Sequence, residues 1–155
     1  MSPFMDSGED LPQLHLDSQL CFPLYAVSRK IVSLYTPFLK PLGITYTQYL
    51  VLLALWENNS TTVGELCHRL YLDNGTITPL LKKMEETGLV LRSRSKDDER
   101  VVIVSLTEAG WQLRSRVKDI PFQIGSCVPL AQNEAESLYR LLHMLLSKMN
   151  DSGSI

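Results

Sequence analysis

Within the stretch from Leu14 to Tyr35, apolar residues at Leu20, Leu24, Val27, Ile31 and Tyr35 recur at spacings of three and four, one stripe of a long helix that Pro37 should end. Thr45 with Gln48 is a capping box ahead of a second helix, Tyr49 to Trp56, which is apolar almost all round and so central. A second capping box, Thr62 with Glu65, opens a short helix through Leu70. Asp73 caps the next, which runs to Thr87 and stops at Gly88. The pattern then changes to β-branched runs, Leu89 to Leu91 and Val101 to Leu106, on either side of the polar stretch Arg92 to Arg100: a β-hairpin with a charged tip. Thr107 caps a helix toward Ile120 that Pro121 interrupts. Asn133 and Glu136 cap a last one, striped by Leu138, Leu141, Leu142, Leu145, Leu146 and Met149.

Helix, turn, helix and two-stranded wing is the order of a winged helix-turn-helix module, whose second short helix enters the major groove of DNA. The fold class expected is mostly α with a small β-hairpin wing: a winged helix-turn-helix at about 45–106, flanked by dimerisation helices at about 14–40 and 108–149. Together these form a single domain over 13–149 with disordered tails at 1–12 and 150–155, rich in Ser, Gly and Asp.

Composition narrows the function. A formal charge of -2 over 155 residues excludes a uniformly basic nucleic-acid binder, so any DNA contact needs a local concentration of cations. There is one, because Lys82, Lys83, Arg92, Arg94 and Lys96 face only Glu85 and Glu86 within residues 82–96, and Arg100 follows in the wing. Asn74, Thr76 and Thr78 at the start of the second short helix can reach base edges or phosphates. Taken singly, each charge reads equally well as ordinary solvation; the ordered helices and basic wing together favour DNA. No apolar run is long enough to span a bilayer and no signal peptide is evident, which points to the cytoplasm and away from membranes. Three cysteines, Cys21, Cys67 and Cys127, lack CxxC spacing and form no disulfide framework. No metal or cofactor motif is present, and neither group is expected; His68 beside Cys67 is not a metal pair, since neighbours on a helix point apart.

The run Leu70 to Glu85, with Gly88-Leu89-Val90, Asp97-Asp98-Glu99-Arg100 and Leu106-Thr107-Glu108-Ala109-Gly110, resembles the MarR family of winged-helix regulators. Leu20 to Ala26 (LCFPLYA), Tyr25, Tyr35 and Thr45 to Tyr49 resemble its organic-hydroperoxide-responsive repressor branch. The resemblance runs from about Leu16 to Met149. It implies a homodimer, built from the first and last helices, on a pseudo-palindromic double-stranded operator with one recognition helix per half-site. Asp98 would orient Arg100 toward the minor groove. Cys21 would be the thiol that an organic hydroperoxide oxidises, with Phe22, Tyr25, Tyr35 and Tyr46 forming its pocket, some of them from the partner subunit. Their phenol hydroxyls can donate to a sulfur anion and so favour the reactive thiolate.

Two points stay open in the residues themselves. Pro23 means that the first helix is kinked there or starts near it, the second case placing Cys21 at the positive end of a helix dipole. Cys127, in Ile124 to Pro129 between the last two helices, either resolves an oxidised Cys21 of the other subunit, as the resemblance implies for two-cysteine members, or packs as a small hydrophobe. Cys67 reads as inert core with Leu66 and Leu70. Three further functions compete: a regulator released by a small aromatic ligand, a broader thiol-based oxidative-stress regulator, and a thiol peroxidase. The last lacks support, because Leu14 and Ser18 stand where a peroxiredoxin carries Pro and Thr ahead of its cysteine. A non-enzymatic repressor is the reading these residues favour.

Overall fold

The computed structural model describes residues 11–151, which divide after Pro121 into two compact units. Most of both expected disordered tails lies outside the described residues. Within them, Pro12–Leu14 and Leu16–Ser18 form single 3-10 turns, and the last helix carries on through Asn150 to Asp151 rather than stopping at Met149.

Helix α1 spans Cys21–Leu39. It begins seven residues later than the expected start at Leu14, and the reason is Pro23: placed in the first turn, where backbone N–H groups have no intrahelical acceptor to lose, it is compatible with a start at Cys21. The alternative of a kink at Pro23 is thereby removed. Pro37 does not stop the helix; it sits in the last turn, and a 3-10 turn at Lys40–Leu42 ends on Gly43 in left-handed conformation. Helix α2, Tyr46–Asn58, opens on the expected capping box, with the Thr45 hydroxyl accepting from the Gln48 N–H at 3.3 Å and the Gln48 side chain accepting from the Thr45 N–H at 2.9 Å. It buries Val51, Leu52 and Leu55 completely, as a central helix must.

Strand β1, Ser60–Thr62, precedes α3, Val63–Leu70, and α4, Asn74–Glu86; strands β2, Val90–Arg94, and β3, Val102–Leu106, form the wing. The sheet is antiparallel in the order β1-β3-β2, so the expected hairpin is joined by a third strand. That strand has no apolar alternation of its own and gains its conformation by pairing Ser60 to Thr62 with Ser105 to Ile103. Leu66 of α3, Ile77, Leu81 and Met84 of α4, and Val90 and Val104 of the sheet join α2 in one core. Helix α5, Glu108–Val117, is capped by Thr107 and approaches the wing so closely that a Cβ on Gly110 would lie 2.2 Å from the Leu89 carbonyl oxygen. Gly110 also accepts a hydrogen bond on its carbonyl from the Trp56 indole at 3.0 Å.

Pro121 both ends and begins. It lies in the first turn of a separate helix α6, Ile120–Cys127, so the expected single break becomes an additional element whose last residue is Cys127. Helix α7 is Gln132–Asp151. Its first turn is closed not by Asn133 but by Glu134, whose carboxylate accepts from the Ala131 N–H at 2.8 Å, while Asn133 lies inside the helix. Every residue of α7 from Gln132 to Asn150 is exposed, the entire leucine stripe included. Among the described residues no single helix is long and apolar enough to cross a membrane.

Candidate nucleic-acid interface and thiol site

The front of α4 is built by Asp73. Its carboxylate accepts from the Thr76 N–H at 2.7 Å and from the Thr76 hydroxyl at 3.1 Å, and these bonds, the backbone one first, hold its carboxyl below the usual carboxylate range. The Thr76 hydroxyl is therefore engaged by its own cap, although the residue is exposed. Asn74 and Thr78 line an open groove of about 450 Å³ among the starts of α3 and α4 and the wing, which Arg92 and Arg100 also line. The Cys67 thiol, half-buried rather than in the core, donates to the Asn74 side-chain carbonyl at 3.4 Å, a contact with no counterpart in the sequence reading.

The wing cations divide into three kinds. Arg100 reaches out from the hairpin tip with 91% of its side chain exposed, yet it is oriented by Asp98, whose two oxygens accept from Nε and Nη2 at 3.0 and 3.1 Å. Those bonds, with one from the Arg100 backbone N–H, keep the Asp98 carboxyl low and charged. Arg94 donates to the Glu99 carbonyl at 2.5 Å and so closes the tip. Arg92 departs most from its place among DNA-facing residues, because its guanidinium is spent on Glu85 of α4. Lys82, Lys83 and Lys96 are exposed, and no ion pair among the described residues engages them.

The thiol site is assembled differently. Cys21 is the first residue of α1, free and exposed, with Phe22 exposed beside it. Tyr35 and Tyr46 do meet, their ring centroids 4.9 Å apart, and Tyr49 completes the cluster at 5.7 Å from Tyr35. Tyr49 was not among the expected pocket residues, although its position three after Tyr46 on one helix was the available signal. Burial, with the neighbouring phenols for Tyr46 and Tyr49, raises all three phenol pKa values, so they remain O–H donors across neutral pH. Tyr25 stands apart from them: it is exposed, accepts from Arg29 at 3.1 Å and lies under the Arg29 guanidinium. Tyr35 lies fourteen positions beyond Cys21 on one continuous helix, which is about 21 Å at a rise of ~1.5 Å per residue. Cys127 at the end of α6 is also free and exposed.

Residues 33–117 match the family described as Transcriptional regulator SarA/Rot. The Organic hydroperoxide resistance transcriptional regulator of Bacillus subtilis is 46% identical over 140 residues, 88% of this chain and 93% of that protein. AbfR, a protein of Staphylococcus epidermidis, has been solved in several states. Its reduced form bound to DNA superposes with a TM-score of 0.76 at 38% identity, covering 90% of this chain and 96% of that one. An overoxidized form, also bound to DNA, gives 0.73 at 40% identity with coverage of 89% and 97%, and a disulfide form gives 0.60 at 40% identity with coverage of 87% and 95%. A mutant MarR from E. coli, complexed with operator DNA, gives 0.73 at 29% identity, with coverage of 89% and 99%.

Proposed function

Because this chain belongs to the MarR-type winged-helix transcriptional regulators, a family of regulators and not of enzymes, we propose that it is a cytoplasmic homodimeric repressor released from its DNA operator by organic hydroperoxide. The observation that carries the reading is an exposed thiol at the head of α1 in a chain 46% identical to a regulator named for organic hydroperoxide resistance.

Dimerisation follows from α7. A 20-residue helix with Leu138, Leu141, Leu142, Leu145 and Leu146 all exposed gains nothing from its apolar stripe in a single chain, and contiguous apolar surface of that kind marks an interface. The outward residues of α1, with Leu20 76% exposed and Leu24 and Val27 also open, extend the same requirement. A two-fold dimer presents two copies of α4 to successive major grooves of a pseudo-palindromic duplex, where Asn74 and Thr78 meet base edges and Lys82, Lys83, Lys96 and Arg100 meet phosphates or the minor groove.

The chemistry belongs to Cys21. Its thiolate attacks the distal peroxide oxygen, the O–O bond breaks, an alcohol leaves, and the sulfur becomes a sulfenic acid. With the helix separating Cys21 from Tyr35 inside one chain, and Tyr46 stacked on Tyr35, those two phenols reach the thiol only from a second copy. Their raised pKa values keep them protonated as donors to sulfur and to the leaving oxygen. The thiol of Cys127 from the other subunit then attacks the sulfenic sulfur, expelling water and forming an intersubunit disulfide. The relation among the AbfR forms supports a change of shape at that step, since forms of nearly equal identity to this chain differ in likeness to it, the disulfide form least.

The test uses a duplex that the reduced protein selects from a randomised pool. Anisotropy should show tight binding that cumene hydroperoxide abolishes and dithiothreitol restores, with a dithiothreitol-sensitive band of dimer mass on non-reducing gels. Equal affinity before and after peroxide would remove the sensing role; release without the dimer band would remove Cys127 from it.

A further inference from the structure

Strand β2 is one of the two outer strands of the sheet, and α4 runs beside it. At their junction one carboxylate takes three hydrogen bonds. Glu85 Oε2 accepts from Arg92 Nε at 3.0 Å and from Nη2 at 2.7 Å, and Glu85 Oε1 accepts from the Arg92 backbone N–H at 3.0 Å. The strand's outward donor, which an open sheet edge leaves unpaired, is thus closed by a helix side chain, and the same side chain holds the guanidinium. Both partners are partly covered, with 27% of the Arg92 side chain and 34% of the Glu85 side chain exposed, in contrast to 91% for Arg100. Bonds from Arg92 hold the Glu85 carboxyl below its ordinary range, so the pair is charged at neutral pH.

We propose that Glu85 and Arg92 are a positioning pair, which fixes the wing against the recognition helix, and that Arg92, although a cation of the wing, does not contact phosphate. The inference rests on the DNA-binding reading above. A winged helix must place α4 in the major groove and the hairpin tip beside it at the same time, so the angle between them is part of the recognition surface. In the middle of β2, four residues before the tip begins to turn back at Lys96, Arg92 ties that angle to α4 by side-chain and backbone bonds together. Freed, the hairpin can still meet phosphates somewhere, but no longer where a selected sequence needs it.

The salt dependence of binding separates a positioning cation from a phosphate contact, since each lost phosphate contact lowers the slope of log K against log salt by about one. Full-length Glu85→Gln, Arg92→Lys, Arg92→Ala and the Glu85→Gln/Arg92→Ala double variant are titrated with the selected duplex and with an unrelated duplex over a salt series. Each single variant should lose on the order of tenfold in affinity for the selected duplex, within the range of coupled neighbours. The salt slope should stay at its wild-type value, binding of the unrelated duplex should be little changed, and the double variant should be no worse than the weaker single one. Arg92→Lys is decisive, because lysine keeps the charge and loses the fork. Wild-type affinity in Arg92→Lys, a slope lower by about one in Arg92→Ala, or tighter binding by Glu85→Gln from removal of a negative charge would each overturn the pair. Lys82→Ala and Arg100→Ala are measured alongside: if these leave both affinity and slope unchanged, the DNA-facing surface itself is wrong, and the pair with it.

Discussion

The recognition helix with its wing and the head of α1 differ in how much of their chemistry one chain supplies. At the wing, polar groups are closed within the chain: Asp73 on Thr76, Glu85 on Arg92, Asp98 on Arg100, and Glu65 on the hydroxyls of Thr61 and Thr62. At the head of α1 little is closed. Cys21, Phe22, Leu24, Tyr25 and Val27 all face outward, and Cys21 makes no hydrogen bond among the described residues. The difference is one of range. Caps and ion pairs within a few residues or across one turn are satisfied by local folding, whereas an apolar stripe with a thiol at its end is satisfied only by another surface.

The largest effect that tests this contrast is on α7. Leu142→Arg with Leu145→Arg takes away about 1.5 to 3 kcal/mol of burial per leucine and charges the stripe. Sedimentation should show a folded monomer, and affinity for the selected duplex should fall by at least about 100-fold as the second half-site contact is lost. A dimer that survived both substitutions would break the comparison. Next in size is Cys21→Ser, which should bind the duplex with wild-type affinity and keep it at every dose of cumene hydroperoxide that releases the wild type. Release of this variant would place the sensor elsewhere. Smaller effects belong to the closed side of the contrast: Lys82→Ala or Arg100→Ala should weaken binding several-fold and reduce the salt slope by about one each, without altering the peroxide dose response. A shifted dose response in either would mean that the two regions are not independent.

The legible parts of the sequence were those whose signals are local. Both capping boxes, the Asp73 and Thr107 caps, the stop at Gly88 and the wing hairpin all declare themselves within a few residues, and the structure has each. Errors arose where local signals were ambiguous. The start of the first helix at Leu14 falls in 3-10 turns that last to Ser18, Pro121 starts a helix as readily as it ends one, and Ala131 with Glu134 closes α7 where Asn133 looked the better cap. Strand β1 was invisible because its conformation comes from β3. Within the site, Asp98 beside Arg100 could be read at a spacing of two, but Glu85 with Arg92 could not, since the turn at Thr87 to Leu89 decides whether they meet. The grouping of Cys21 with Tyr35 and Tyr46 came from the family resemblance alone. Within one chain the helix keeps them apart.

Under the proposed function, that separation means that the Cys21 thiol of one copy is served by the Tyr35 and Tyr46 phenols of the other. Tyr35→Phe with Tyr46→Phe should slow oxidation of Cys21 modestly, by removing two donors without removing the thiol. Mixed dimers show whose donors count. In the first, one copy carries Cys21→Ser and the other carries both tyrosine substitutions, so the surviving thiol faces intact phenols. In the second, one copy carries all three substitutions, so the surviving thiol, on the unsubstituted copy, faces a copy without those phenols. The measurement is the rate at which cumene hydroperoxide removes the reactive thiol at position 21, in a Cys67→Ser/Cys127→Ser background. The first dimer should react at the rate of a dimer with all its phenols, and the second should be slow; the reverse order would show that each chain serves its own thiol and would contradict the account.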